Sequence, residues 1–388
     1  MLSTIKLYDK DSFMKSFSAT VVSCDASGDG YELVLDATAF FPEGGGQDGD
    51  TGTVECEGKS FDVTDTQIDN DGVIRHFISG YIAPGATVEG KVDFENRFDR
   101  MQNHSAEHIV SGLVHSEYGL SNIGFHLGDD DVTCDYNGSL TAEQIRHIEM
   151  LANEAVFSNI PILCEYPAPD VLSTLFYRSK LDLENNVRIV TIPGIDVCAC
   201  CAPHVHSTGE IGLIKIVGHE KSHGGTRLHL CAGRRALADY NIKQSNIMSI
   251  VDLLSAPQSE TAEAVSKLVE KNRELEHQIS VERIKQAKLV LDGINETQGN
   301  LVVALKDAEG DALMALAKGG AERAGGIFVA LTNAASGYRY IITSRNTDLK
   351  PVIKEANAAL NGRGGGRESM VQGSFDCTIE EIREYFKA

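Results

Sequence analysis

The chain has 388 residues, a length that predicts two or three domains. Hydrophobic residues make up 42% and charged residues 23%, which excludes a disordered, collagenous or fibrous chain, and the formal net charge of −21 argues against a nonspecific nucleic-acid binder. No apolar run approaches the roughly 18 residues of a membrane helix, and the charged N-terminus lacks the apolar stretch of a signal peptide. We therefore expect a cytoplasmic protein with no membrane partner.

The excess acidic charge lies entirely in the first half of the chain. Residues 1–200 contain 12 Lys and Arg against 33 Asp and Glu, whereas residues 201–388 contain 23 of each kind. If the protein contacts a polyanion, the second half is expected to make most of the contacts. The segment 201–250, with six basic and three acidic residues, is the first candidate for them.

The first half of the chain predicts strands followed by a mixture of helices and strands. Residues 1–95 contain short alternating runs that are separated by Gly, Asp and Asn turns, a pattern typical of a β-rich domain. Thr141 is the expected N-cap of a helix because Glu143 and Gln144 follow it. The predicted elements are helices over 97–120 and 141–157 and strands over 186–197 and 210–217.

The stretch 260–292 predicts a long helix because it contains neither Gly nor Pro and is dense in Glu, Lys, Leu and Val. Five apolar residues fall at the a and d positions of a heptad: Val265, Leu268, Leu275, Ile279 and Leu289. Asn272, Glu282 and Gln286 interrupt that seam. The helix is either a short coiled coil that serves as a dimerisation arm or an amphipathic helix packed on its own domain.

Residues 300–388 predict a compact α/β domain. Three continuous apolar runs, 301–305, 327–331 and 340–343, are typical of buried strands, and helical segments lie between and after them. The glycine run 364–366 is expected to break this pattern near the end of the chain.

His104 and His108 lie four residues apart in the predicted helix and therefore share one face. Ser111 and His115 fall on the same stripe, while the apolar residues centre on the opposite side. The two imidazoles are thus expected to face a cleft or water. Two histidines at this spacing can bind one metal ion, although a chance pair on a solvated face has the same pattern.

A second cluster offers thiolates and imidazoles within nine residues: Cys198, Cys200, Cys201, His204 and His206. Cys200 and His204 complete a four-ligand set with the two helical histidines, and zinc accepts such a mixture of sulfur and nitrogen ligands. Cys198, Cys201 and His206 are alternative ligands within reach. The site is either structural and closed or functional and open to a cleft.

A glycine-rich segment, 40–52, contains the three consecutive glycines 44–46. Glycine lets the backbone approach a ligand closely and offer its N–H groups. The segment lacks the Lys-Ser/Thr pair of a phosphate-binding P-loop, and a flexible loop is the alternative interpretation.

Three segments together resemble the editing domain of alanyl-tRNA synthetase and its free-standing relatives, the AlaX trans-editing proteins. These segments are 35–47, which holds the glycine run, the His104–His108 pair, and 200–212. Arg227 fits the sequence that follows in that family, and 364–373 resembles the glycine motif of the DHH-associated domain at the synthetase C-terminus. The order of the motifs matches the long form of AlaX.

The resemblance implies an α+β fold in four parts. They are a β-rich, barrel-like domain with the glycine motif over 1–95, a zinc-binding editing core over 96–240, a helical or coiled-coil linker over 241–296, and a C-terminal DHH-associated-like α/β domain over 297–388. A homodimer contact is expected in 260–292 or in the C-terminal domain.

The implied activity is hydrolysis of alanine tRNA mischarged with serine and, as a second substrate, with glycine, without ATP use or aminoacylation. Where a synthetase pocket cannot reject a close analogue by binding, a second hydrolytic site removes the error. By resemblance, Zn²⁺ is held by His104, His108, Cys200 and His204. Thr38 is the candidate contact to the serine hydroxyl, and Gly44, Gly45, Gly46 and Gln47 line the pocket. The candidate tRNA contacts are Arg227, Arg234, Arg235, Arg363 and Arg367.

No catalytic residue is assigned from the sequence. The absence of a Ser-His-Asp set favours direct attack by water over a covalent intermediate. Glu43 and Glu107 are candidate bases, but a solvated carboxylate is the expectation for both. The main alternative function is a zinc-stabilised tRNA-binding module without hydrolase activity. A phosphodiesterase is disfavoured because its Asp-His-His motif is missing, and editing of threonine tRNA is disfavoured by the C-terminal domain.

Overall fold

A computed structural model describes residues 4–128, 132–179, 187–222 and 224–387. The chain divides into two units, Met1–Asn246 and Ile247–Ala388. Within the described ranges, no helix is both long and apolar enough to cross a membrane.

The first unit begins with a closed barrel. The strands described before residue 93 are β1 (Ile5–Lys6), β2 (Ser16–Ser27), β3 (Gly30–Leu35), β4 (Ala37–Thr38), β5 (Gly52–Cys56), β6 (Lys59–Ile68), β7 (Ile74–Ile78) and β8 (Thr87–Val92). Six of them close in the order β2-β3-β7-β6-β5-β8. Buried and exposed residues alternate along β8 and most of β2, so the inward side chains fill the barrel. The expectation of an α+β protein that begins with a barrel-like domain is confirmed.

Helices and two smaller sheets follow the barrel in the first unit. They are α1 (Phe94–Tyr118), β9 (Asn122–Leu127), β10 (Val132–Tyr136), α2 (Ala142–Phe157), β11 (Leu163–Glu165), α3 (Pro169–Leu172), β12 (Ile189–Ile192), β13 (Asp196–Ala199), β14 (Ile214–Ser222), β15 (Gly225–Ala232) and α4 (Gly233–Leu254), which crosses the border between the units. The sheets have the orders β14-β15-β10-β9 and β11-β12-β13. One apolar cluster joins α1, α2 and the four-stranded sheet, and this packing fixes α1 in place.

Local capping explains where the two long helices of this core begin and end. Asp93 accepts a hydrogen bond from the Asn96 N–H at 3.3 Å, and Gly119 ends α1 in the left-handed region at φ 68°. Thr141 and Gln144 form a capping box, so α2 begins where the sequence predicted.

The predicted strands of this core are only partly correct. The segment 186–197 forms two paired strands, β12 and β13, rather than one, and residue 186 lies outside the described residues. The strand predicted over 210–217 begins too early, because Ser207 and Glu210 cap a 3-10 turn over Thr208–Ile211. The strand itself, β14, begins at Ile214.

The second unit is a five-stranded sheet with helices on both faces. Its elements are α5 (Thr261–Asp292), β16 (Leu301–Ala304), α6 (Asp311–Gly320), β17 (Ile327–Asn333), β18 (Tyr338–Ser344), α7 (Leu349–Ala359), β19 (Arg363–Arg367), β20 (Met370–Phe375) and α8 (Ile379–Phe386), and the strand order is β16-β17-β18-β20-β19. Val329 and Leu331 pack in one cluster with α7 and α8, whereas Phe328 and Ala330 pack in another with α5 and α6. Burial on both faces explains the continuous apolar runs.

The glycine run near the end of the chain does not break the sheet, contrary to the prediction. Gly364, Gly365 and Gly366 lie within β19, which pairs with β20. At Gly364, φ is 147° and an added Cβ would overlap the Gln372 carbonyl oxygen, so glycine is required for the strand to approach its neighbour.

Helix α5 covers the predicted stretch, and all five apolar residues of the predicted seam are exposed. Ala287 and Leu291 are buried in the cluster with α6, while Val265, Leu268 and Ile279 are exposed. The C-terminal end of the helix therefore packs on its own unit. Dimerisation through the exposed seam stays a prediction, which light scattering would test.

Candidate metal centre

Four side chains from two distant segments meet in the first unit. The nitrogen and sulfur ligand atoms of His104, His108, Cys200 and His204 all lie within 4.8 Å of one another. The Cys200 Sγ is 3.5 Å from the His104 Nε2 and 3.4 Å from the His204 Nε2. Helix α1 places the two histidines one turn apart, and the chain that leaves β13 supplies the other two groups. The structure thus brings together the four residues that the sequence proposed as ligands.

Each of the three imidazoles has a hydrogen-bond partner at its Nδ1. The Nδ1 partners are the Gln47 Oε1 for His104 at 3.1 Å, the Asp196 Oδ2 for His108 at 3.0 Å and the Ser105 Oγ for His204 at 2.9 Å. Hydrogen bonds at Nδ1 fix the ring orientations and leave the Nε2 lone pairs for a common ligand. This arrangement is typical of histidines that bind a metal.

The donor set fits a zinc ion. Burial, together with the neighbouring histidines, lowers the pKa of His204 well below its usual value, which keeps this imidazole neutral and able to donate its lone pair. Burial also raises the pKa of the Cys200 thiol well above its usual value, and a cation at the centre would reverse that preference. Three imidazoles and one thiolate form a mixed set of the kind that zinc accepts.

Asp196 is expected to contribute to metal affinity through His108. Its two carboxylate oxygens also accept hydrogen bonds from the Arg178 guanidinium, each at 2.7 Å, which fixes the carboxylate. We predict that Asp196→Asn weakens zinc binding by about 10-fold to 100-fold, because the His108 ring loses its charged partner. Competition with a chromophoric chelator measures the affinity. Asp170→Asn, a change at an exposed residue of α3, is the control, and equal affinity in both variants would contradict the prediction.

The structure places the alternative ligands that the sequence offered in different surroundings. Cys198 forms a second group of donors with His108 and Asp196. His206 instead stacks on Phe13, with ring centroids 4.2 Å apart, and is mostly exposed. Among the residues that the structure describes, neither group of candidate metal ligands includes Cys201 or His206.

The cluster opens onto a cavity of about 570 Å³. His104 and His108 line it although each is only 2% exposed overall, so the expectation of a cleft holds and the alternative of a water-facing pair is wrong. Gly45 and Gly46 form part of the wall. At Gly46, φ is 82° and an added Cβ would lie 2.8 Å from the Phe125 ring, so this turn needs glycine. Gly45 and Gly46 therefore form part of the wall beside the four clustered side chains.

The other predicted pocket residues, Thr38, Gly44 and Gln47, are not among the described residues that line the cavity. The Thr38 hydroxyl is fully buried, donates to the His76 Nε2 at 2.8 Å and accepts from the Phe40 N–H at 3.1 Å. Gln47 is also fully buried, and within the described residues its Nε2 has no hydrogen-bond partner. A direct contact between Thr38 and a substrate stays a prediction.

His76 makes the stability of the barrel depend on pH. Burial of the enclosed ring lowers its pKa from 6.5 to about 4, and the hydrogen bond that the ring donates to the Leu33 carbonyl opposes this shift only in part. The unfolded chain therefore binds more protons between these values, so stability is complete above pH 6.5 and falls as the pH drops towards 4. We predict that the free energy of unfolding falls by about 2 kcal/mol from pH 7 to pH 5 on account of this group.

Urea titrations of the wild type and of His76→Gln at the two pH values measure this contribution. The variant is expected to lose about 2 kcal/mol less than the wild type on acidification. An identical loss in the two proteins would show that another group carries the pH dependence.

The two candidate bases have different surroundings. Glu43 is exposed and accepts a hydrogen bond from Gln67 at 2.7 Å, as expected for a solvated carboxylate. That expectation is wrong for Glu107, which is 4% exposed and lines the cavity. The Glu107 Oε1 accepts hydrogen bonds from Ser111 and Asn122, each at 2.6 Å. These donors replace water. The sequence did not reveal the contact with Asn122, because it depends on the position of β9 beside α1.

Three of the predicted tRNA contacts are already engaged with acidic partners from the first unit. Arg227 forms a bidentate pair with Asp135, Arg235 pairs with Asp99, and Arg234 pairs with Glu95. The strongly acidic first half of the chain supplies these partners, an effect that counting local charge did not anticipate.

Arg363 and Arg367 contrast with these arginines. They lie at the two ends of the exposed strand β19, and no ion pair to either side chain is found in the described part of the chain. Of the five candidates, these two are the more accessible to phosphate.

Two family models match parts of this chain. The family model "Threonyl and Alanyl tRNA synthetase second additional domain" matches residues 187–229, which include Cys200 and His204, and the model "tRNA synthetases class II (A)" matches residues 6–96. Alanyl-tRNA editing protein AlaX-L of Pyrococcus horikoshii is 27% identical over 97% of this chain and 96% of its own length. Alanyl-tRNA editing protein Aarsd1 of Mus musculus is 32% identical over 68% of this chain and 67% of its own length.

The chain belongs to the alanyl-tRNA editing protein family. Proteins of this family are deacylating hydrolases, so the chain is an enzyme of that class. Alanine–tRNA ligase of Methanococcus vannielii is 29% identical over 97% of this chain but only 42% of its own length. The likeness to the editing family therefore extends over both units, whereas the likeness to this ligase covers less than half of the ligase.

Proposed function

We propose that the protein hydrolyses the ester bond of alanine tRNA mischarged with serine or glycine and that it uses a zinc ion to do so. The observation that carries this proposal is the four-ligand cluster at the wall of an accessible cavity, in a chain of the alanyl-tRNA editing family. A purely structural zinc would be closed off, whereas His104, His108 and Cys200 all line the cavity.

His104, His108, Cys200 and His204 would hold the zinc, and Gln47, Asp196 and Ser105 would orient the three rings. When bound, zinc supplies Lewis acidity towards an ester carbonyl or a water molecule. The protein's own part is to position the ester at the cavity wall and to exclude bulk water from it.

The glycine turn supports the proposal because it offers hydrogen-bond donors at the same wall. Among the residues that the structure describes, the N–H groups of Gly45 and Gly46 have no hydrogen-bond acceptor. Such groups can stabilise the oxyanion that forms when water attacks an ester carbonyl. Direct attack by water then needs no covalent intermediate on the protein.

Discrimination between the serine ester and the alanine ester follows from the chemistry of editing. A site that hydrogen-bonds the serine hydroxyl leaves a buried polar group unpaired when alanine enters. On the family resemblance, Thr38 stays our candidate for that contact, and Gln47 holds a buried amide N–H group that has no partner in the described residues.

Deacylation of tRNA(Ala) charged separately with serine, glycine and alanine tests this function. We expect the serine ester or the glycine ester to be hydrolysed and the alanine ester to be spared. Equal hydrolysis of all three would contradict editing. Binding of the tRNA without hydrolysis would favour a tRNA-binding module.

The body of the tRNA is proposed to contact Arg363 and Arg367 on β19. The double variant Arg363→Glu and Arg367→Glu should weaken tRNA binding about 10-fold at moderate salt and reduce the salt slope of the affinity by about 2, since each arginine would release one counterion. Arg345→Glu with Arg383→Glu, a pair of exposed arginines in the same unit, is the matched control. Equal loss in both double variants would show that net charge, not this strand, determines affinity.

A further inference from the structure

The cavity wall carries one anionic side chain beside the metal ligands. Of the described residues that line the cavity, Glu107 is the only carboxylate, while Lys6, Arg178 and Arg188 are cationic. Arg178 is paired with Asp196, and Arg188 donates to the carbonyl oxygens of Cys200 and Ala202. Two of these three cations have an acidic partner, since Arg188 also lies 3.7 Å from Asp9, and Glu107 is the carboxylate of the described lining that can attract a positively charged group entering the cavity.

The Glu107 carboxylate is also fixed in a defined orientation. Its Oε1 accepts from the Ser111 hydroxyl and from the Asn122 amide, and the Ser111 Oγ lies 2.9 Å from the Tyr136 hydroxyl oxygen. Its Oε2 lies 4.0 Å from the His108 Nε2, the nitrogen that faces the ligand cluster. The Glu107 Oε2 therefore lies close to the ligand cluster, beside which the ester would be held.

The substrate of the proposed function carries a positive charge close to its ester carbonyl. An aminoacyl ester has its α-amino group two bonds from the ester carbonyl carbon, and such groups are largely protonated near neutral pH. A buried carboxylate that stands beside the ester site can pair with this ammonium and align the ester.

We propose that Glu107 is the anchor for the α-ammonium group of the aminoacyl ester and so determines that the site accepts esters with a free amino group. This inference rests on the proposed deacylase function. The role is one of recognition: no bond to Glu107 forms or breaks, and the carboxylate is not asked to move a proton.

The test compares two substrates in two proteins: Ser-tRNA(Ala) and its N-acetylated form, N-acetyl-Ser-tRNA(Ala), with the wild type and with Glu107→Gln. Glutamine keeps the shape and an oxygen to accept from Ser111 and Asn122 but removes the charge. In the wild type, acetylation should lower kcat/KM by about 10-fold to 100-fold. In Glu107→Gln, kcat/KM for Ser-tRNA(Ala) should fall by the same factor, and the value for the acetylated substrate should not change.

Controls separate this role from others. Glu143→Gln, at an exposed residue of α2, should leave both substrates unaffected. The zinc content of Glu107→Gln should equal that of the wild type, and loss of zinc would overturn the proposal in favour of a metal-holding role. Equal loss on both substrates, or no loss on either, would also overturn it.

Two outcomes measured with the wild type alone also test the proposal, whether or not Glu107→Gln folds. If the wild type hydrolyses Ser-tRNA(Ala) and its acetylated form equally well, the anchor is disproved while the deacylase function stands. If the wild type hydrolyses neither the serine nor the glycine ester, the proposed function fails, and the anchor fails with it.

Discussion

Replacing His104 by alanine is expected to remove both the bound zinc and the deacylase activity. The His104 Nε2 lies 3.5 Å from the Cys200 Sγ, and its ring is 4.9 Å from that of His204, so the side chain stands inside the ligand cluster. A bound zinc ion contributes several kcal/mol to the stabilisation of the transition state. We therefore expect kcat/KM on Ser-tRNA(Ala) to fall roughly 1,000-fold or more.

His206→Ala is the matched control, because the sequence offered His206 as a ligand and the structure places it against Phe13. This variant should keep its zinc and its activity. Zinc content by mass spectrometry of the native protein and single-turnover deacylation provide the two readouts. Full activity in His104→Ala, or equal loss in His206→Ala, would contradict the assigned ligand set.

Replacing Asp50 by asparagine is expected to cause the largest loss of stability. Asp50 and Arg97 form an ion pair in which both side chains are almost completely buried. Arg97 also donates to the carbonyl oxygens of Ser12 and Ala39, and Asp50 accepts from the Phe41 N–H. Loss of the carboxylate leaves a buried guanidinium unpaired, so the free energy of unfolding should fall by about 3 kcal/mol or more.

Asp48→Asn is the control from the same loop. Asp48 also pairs with an arginine of α1, Arg100, but its side chain is 57% exposed. Exposed pairs contribute about 1 kcal/mol or less, so this variant should be close to the wild type. Urea titration followed by circular dichroism measures both. Equal stability of the two variants would show that the buried pair does not hold the barrel loop to α1.

The sequence predicted the four clustered side chains because their pattern is local. His104 and His108 share a helical face, and Cys200 and His204 lie in one short segment, so each pair was visible without a fold. The partners that orient the rings were not visible. Gln47 is 57 residues from His104, and Asp196 is 88 residues from His108. Contacts at such separations depend on how the barrel and β13 are placed against α1.

The errors have similar physical causes. Glu107 was expected to be a solvated carboxylate, yet Ser111 and Asn122 donate hydrogen bonds to it inside the protein. The glycine run 364–366 was expected to break the sheet, but close approach of β20 requires glycine there. Charge counting along the chain also failed for Arg227, because its partner Asp135 comes from a neighbouring strand.

The proposed hydrolysis of mischarged alanine tRNA requires zinc in this cluster. The most direct measurement is single-turnover deacylation of Ser-tRNA(Ala) by the wild type before chelation, after removal of zinc, and after zinc is added back. We expect chelation to abolish hydrolysis and one equivalent of zinc to restore it. Undiminished hydrolysis by protein shown to be free of zinc would contradict the requirement for zinc.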